Sequence, residues 1–107
     1  MITYISGPIT GHDDYLEQFK EAESKLRLEG HTVVNPAWIM APFAKTNAGH
    51  EDYMEACLRL MGHSESIYML NGWETSKGAM MEYKEAQKLG LWIRMEKEVN
   101  IGGKSIC

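Results

Sequence analysis

Apolar positions along the chain follow two periods. Residues 2–6, Ile2-Thr3-Tyr4-Ile5-Ser6, are β-branched and aromatic and read as a strand. Tyr15, Phe19, Ala22 and Leu26 then recur at helical spacing, with Glu17, Lys20, Glu21, Lys25 and Arg27 between them. An amphipathic helix is expected there, with Asp13 as its N-cap and Gly30 as its stop. Residues 31–34 read as a second strand, closed by Asn35-Pro36. Residues 37–49, which hold Trp38, Met40, Pro42 and Phe43, suit a short helix or a loop equally. Past His50-Glu51-Asp52, the residues Tyr53, Met54, Cys57, Leu58, Leu60 and Met61 make a wide apolar helix face, ended by Gly62. Residues 67–70 are a short apolar run of the kind that fills a buried strand, and Asn71-Gly72 ends it with a turn signal. A helix is expected over 76–89, with Thr75 or Ser76 as cap, Ala79, Tyr83 and Ala86 inward, and Gly90 as stop. Residues 91–95 read as a fourth strand.

Strands that alternate with helices imply a parallel sheet with right-handed crossovers and helices on both faces. The expected fold is a small flavodoxin-like three-layer α/β sandwich with a parallel sheet of four or five strands. A chain of 107 residues has room for one such domain, over 1–95. The tail over 96–107 adds one edge strand at most before it frays.

A formal net charge of -4 argues against non-specific binding to nucleic acid polymers or anionic membranes. No apolar run reaches the length of a membrane span, and residues 1–4 show no basic leader, so a cytoplasmic protein is expected. The two cysteines, Cys57 and Cys107, and the four histidines show no zinc spacing. No metal and no other cofactor is expected.

The chemistry-bearing residues fall in two loops. In open parallel sheets, ligands lie outside the carboxyl ends of the strands. After the first strand comes Gly7-Pro8-Ile9-Thr10-Gly11, which either brings backbone N–H groups close to an anion or simply turns into a helix. The loop after residues 67–70 carries Trp73 and leads to the helix mouth at Ser76, where free amides and the dipole suit a phosphate. Glu82 leans back toward Gly78, whose missing side chain leaves space between carboxylate and helix mouth. A small sugar phosphate fits there, phosphate on Ser76 and sugar carbon near Glu82. The helix dipole favours the ionised form of Glu82, which suits a nucleophile. Trp38 or Phe43 offers a flat ring for a nucleobase, or only covers the core. In the plainer reading, Thr75 and Ser76 are only caps, Gly78 only a packing residue, and Glu82 a solvated helix position.

The motifs Tyr4-Ile5-Ser6-Gly7-Pro8-Ile9-Thr10-Gly11 and Ser76-Lys77-Gly78-Ala79-Met80-Met81-Glu82 resemble those of the nucleoside 2-deoxyribosyltransferase superfamily. The likeness is greatest to its small members, the 2′-deoxynucleoside 5′-phosphate N-hydrolases and short phage proteins, and it spans about residues 4–93. The resemblance implies cleavage or transfer at the N-glycosidic bond of a nucleoside or nucleoside 5′-monophosphate. It gives the nucleophile's role to Glu82, and the 5′-phosphate or 5′-hydroxyl to Ser76, Gly7, Ile9, Thr10 and Gly11. Tyr4 and Pro8 from the first motif, Gly78 from the second, and Trp38 and Trp73 join the substrate-binding set. It also implies a homo-oligomer. Two positions depart from the pattern. Cys57 stands where the family often has an aspartate that serves the leaving base, which leaves Asp52, Glu55 or His50 to take that role, Asp52 foremost. Pro8 stands where the phosphohydrolases usually have serine. These departures make capture of a nucleotide without cleavage the alternative function.

Overall fold

The computed structural model describes residues 1–9, 13–37 and 50–96, with side chains from 54 onward in the last span, and the backbone of 99–101 and 104–106. Four parallel strands form one sheet: β1 (Ile2–Ser6), β2 (Thr32–Val34), β3 (Ser66–Met69) and β4 (Trp92–Met95). Their order is β2-β1-β3-β4. Between them run α1 (Tyr15–Leu28), α2 (His50–Met61) and α3 (Lys77–Leu89). Register sets Tyr4 beside Val34 on one side and Ile67 on the other, and Met69 beside Met95.

The alternation of side chains along β1 and β3 divides the core in two. Tyr4, Ile67 and Met69 face α2 and α3, where Cys57, Met61, Ala79 and Ala86 close over them. Ile5, Tyr68 and Leu70 face α1, against Phe19, Ala22 and Leu26. All four residues of β3 are buried, as a central parallel strand covered on both faces requires. Each fully buried Ile, Leu or Phe contributes roughly 1.5–3 kcal/mol of transfer free energy. The result is the three-layer, flavodoxin-like α/β sandwich that the alternating pattern implies, with four strands in its parallel sheet.

Local differences from expectation have local causes. The N-cap of α1 is Asp14, one residue beyond Asp13, and its side chain makes no capping bond. The helix starts instead on backbone bonds from Glu17 and Gln18 N–H to the Asp14 carbonyl, both 3.1 Å. Among the described residues of the tail, none pairs with β4. The tail's strands β5 (Val99–Ile101) and β6 (Lys104–Ile106) pair with each other, antiparallel, as a separate two-stranded ladder. Gly102-Gly103 between two short β-prone runs is a two-residue hairpin signal, so local pairing wins over pairing with β4. Among the described residues, no helix is long and apolar enough to cross a membrane.

Candidate active site

The site lies where β1 and β3, neighbours in the sheet, give way to their loops. Leu70 N–H donates to the Ser6 carbonyl at 2.8 Å, carrying the ladder one step past β3. Here Gly7 passes Leu70 so closely that a Cβ on it would stand 2.8 Å from Leu70 Cβ, which only glycine avoids. Pro8, fully buried, reaches the second loop, where a Cβ on Gly72 would lie 3.5 Å from its Cγ. The two loops are thus in contact at the switch point of the sheet.

Gly72 has φ +86°, a left-handed conformation that turns the chain out of β3. A single 3-10 turn over Trp73–Thr75 follows, tied by Thr75 Oγ1 to the Gly72 carbonyl at 2.7 Å. Ser76 then caps α3, its Oγ accepting from Ala79 N–H at 3.2 Å. Gly78 falls in the first turn of that helix, and Trp73 stacks on Tyr83 with ring centroids 4.6 Å apart.

Ala79, Glu82 and Ala86 are the buried stripe of α3. The flanking alanines let the helix approach the sheet and carry the Glu82 carboxylate, 6% exposed, down to β1. Tyr4 and Ser6, two apart on one face of that strand, both donate to it. The Tyr4 hydroxyl takes Oε2, and Ser6 Oγ takes Oε1 at 2.7 Å. Cys57 of α2 completes the group by hydrogen bonding to Tyr4. Among the described residues, Glu82 is the only buried charged side chain.

Burial pushes the Glu82 carboxyl up from 4.5 to about 7, against the opposing pull of the Tyr4 and Ser6 hydroxyls. The Tyr4 phenol is held well above its ordinary value, first by burial and then by the charge of Glu82, so it stays a donor. This corrects the expectation that the helix dipole leaves Glu82 readily ionised. A dipole is worth about 0.3–1 kcal/mol at a helix end, whereas taking a carboxylate out of water costs several. The solvated-helix reading of Glu82 falls with it.

Of the other expected residues, Gly7, Pro8 and Ile9 lie in the first loop beside Leu70 and Gly72. Thr10, Gly11, Trp38 and Phe43 fall outside the described residues, and so do the side chains of His50 and Asp52 on α2. Glu55 is turned to solvent and paired with Arg59 at 3.0 Å, away from Tyr4 and Glu82. Ser6 was not among the expected site residues. Its signal was present: alternation puts Ser6 and Tyr4 on one face of β1, and Glu82 sits in register between Ala79 and Ala86.

Fold and site together define a small flavodoxin-like α/β protein with a buried, hydroxyl-clamped carboxylate at the switch point of its sheet. The chain belongs to the family described as domain of unknown function (DUF4406), whose model matches residues 1–95. The match ends with β4, so the C-terminal hairpin lies beyond it. Among curated proteins and solved structures, none matches the chain.

Proposed function

We propose that the protein cleaves, or transfers across, the N-glycosidic bond of a nucleoside or nucleoside 5′-monophosphate, with Glu82 as nucleophile. The observation that carries this reading is the buried Glu82 carboxylate, clamped by Tyr4 and Ser6. Ser6 is the last residue of β1, so the clamp lies where the strand hands over to the glycine loop. A strongly perturbed carboxyl at such a place is what a catalytic group requires. The resemblance of both motifs to the deoxyribosyltransferase superfamily supplies the reaction class.

A carboxyl with its midpoint near 7 is ionised in a large share of molecules at neutral pH. Positive charge developing on the sugar carbon then favours the anion further, as in retaining glycosidases. One Glu82 oxygen bonds to the anomeric carbon as the C–N bond breaks, and the bonding pair leaves with the base, which takes up a proton. Water then opens the sugar ester in a hydrolase; a second base does so in a transferase. The Tyr4 and Ser6 hydroxyls hold the carboxylate in one orientation through both steps. The 5′-phosphate belongs at the mouth of α3 beside Ser76, against the first loop. The chemistry requires no cofactor. A homo-oligomer accords with so small a sheet, which gains from burying an apolar helix face.

One observation favours a second reading, nucleotide capture without cleavage. Cys57, which hydrogen bonds to Tyr4, stands where the resembled family often has an aspartate, and among the described residues Glu82 is the only buried carboxylate. Incubation with a panel of nucleosides and 5′-monophosphates, with detection of free base, tests the two. Base release supports the enzyme; tight binding with no release from any panel member supports capture.

A further inference from the structure

The loop that carries Ser76 is held from the far side of the sheet by a residue just beyond the family match. Strand β4 ends at Met95, paired with Met69. The next residue, Glu96, makes two bonds to the β3 chain. Its backbone N–H donates to the Met69 carbonyl at 2.8 Å, and its Oε1 accepts from the Asn71 N–H at 2.9 Å. The two bonds bracket Leu70. From the other side, Leu70 N–H is fixed to the Ser6 carbonyl, and its side chain fills the space against Gly7. Leu70 is therefore clamped between β1 and Glu96 at the point where the chain leaves the sheet.

The backbone bonds of the loop that leads to the mouth of α3 start from that point. Trp73 N–H bonds back to the Leu70 carbonyl at 3.2 Å, Thr75 N–H to Gly72 at 3.1 Å, and Ser76 N–H to Trp73 at 3.0 Å. Each bond sets the next, so a shift at Asn71 propagates to the Ser76 cap and the first free amides of the helix. Asn71 and Gly72 are exposed, and Gly72 gives the backbone freedom that the loop must lose to stay in place. A charged acceptor on a backbone N–H is stronger than a neutral one and suited to that task.

We infer that Glu96 is a positioning residue: its carboxylate, anchored on edge strand β4, sets the loop over 71–76 so that the mouth of α3 faces the first loop as an anion-binding lip. The inference rests on the phosphate subsite in the function proposed above, and its test separates the two. Amide hydrogen exchange on the free protein is measured for wild type, Glu96→Ala and Glu96→Gln. Dissociation constants for inorganic phosphate and a 2′-deoxynucleoside 5′-monophosphate are measured beside it. Glu96→Ala is expected to speed exchange roughly tenfold or more at Asn71, Trp73, Thr75 and Ser76, with the amides of β1 and β3 unchanged, and to weaken monophosphate binding. Glu96→Gln keeps an acceptor for Asn71 N–H and is expected to stay near wild type in both. Faster exchange confined to Asn71 overturns the positioning role, as does an equal speeding of every amide in the sheet. If wild type binds neither anion, the phosphate subsite falls, and the exchange pattern alone still decides whether Glu96 sets the loop.

Discussion

The Tyr4 hydroxyl donates to the Glu82 carboxylate across 78 positions of sequence, from the middle of β1 to the middle of α3. That bond joins the first strand of the sheet to the helix whose mouth forms the candidate site. It is made inside the core, where an unpaired carboxylate would be costly, so the position of α3 and the state of Glu82 depend on one another.

Stability should fall as pH rises through the range set by Glu82. Its folded-state midpoint, about 7, is raised above the ordinary 4.5. The folded protein therefore binds the proton more tightly than the unfolded chain. The resulting contribution is fully present below pH 4.5, is lost as pH rises to about 7, and is flat above it. Its size is roughly 3 kcal/mol. Urea midpoints from pH 4.5 to 8, for wild type and Glu82→Gln, should show wild type losing stability relative to the variant over that window. A difference that does not change with pH would show that Glu82 does not titrate in this range.

Tyr4→Phe keeps the ring and removes the donor, leaving Glu82 Oε2 buried with one partner fewer. A cost of about 1–3 kcal/mol is expected, largest above pH 7, where the carboxylate is charged. The Glu82 midpoint should rise further, because the Tyr4 hydrogen bond pulls it down in the wild type. Carbon-13 NMR of the glutamate carboxyls reads that shift directly; an unmoved midpoint would contradict the observed clamp. Ser6→Ala should act in the same direction.

Much of the fold was readable from period alone, because β1, β3, α1 and α3 each keep one clean pattern. Asp13 failed as a cap because adjacent aspartates are interchangeable by type, and only backbone geometry chooses Asp14. The hairpin was missed because Val99 and Ile101 read equally well as an edge strand when Gly102-Gly103 is not weighed. At the site, Glu82, Ser76 and the first loop stood out by spacing, and the charge state of Glu82 did not. Its exposure depends on how closely α3 approaches β1, which Ala79 and Ala86 permit but no local rule quantifies. Alternation puts Ser6 on the same face as Tyr4, but its pairing with Glu82, 76 positions away, depends on that same approach of α3.

Gly7→Ala should separate the two loops. The new Cβ would stand 2.8 Å from Leu70 Cβ and 2.9 Å from Leu70 Cδ1, in a place bounded by the Leu70 bond to Ser6. A destabilisation of about 1–3 kcal/mol is expected from overpacking. Leu70→Ala in the same chain should not rescue it, since the retained Cβ is the nearest contact. Thermal denaturation of the two single variants and the double variant checks this. Full rescue in the double variant would mean that the loops can part freely.

The last prediction separates the two proposed functions. Glu82 is the carboxylate that the proposed reaction uses as its nucleophile, and it is buried against β1. If the protein cleaves the N-glycosidic bond, Glu82→Ala should abolish base release while the protein stays folded, because losing a nucleophile removes the covalent route. Glu82→Gln should do the same, since an amide keeps the shape and the Tyr4 contact but not the charge that stabilises an oxocarbenium. A slow fluorinated substrate should leave a sugar ester on Glu82, visible as added mass on the peptide that contains it. Base release that survives both substitutions would remove Glu82 from the chemistry. If wild type binds nucleotides and releases no base, Cys57→Asp becomes decisive, because Cys57 hydrogen bonds to Tyr4, the residue that holds Glu82. Base release gained by that change would make the missing acid the difference between capture and cleavage. No gain would turn attention to Pro8, buried in the first loop where the resembled hydrolases place a hydroxyl.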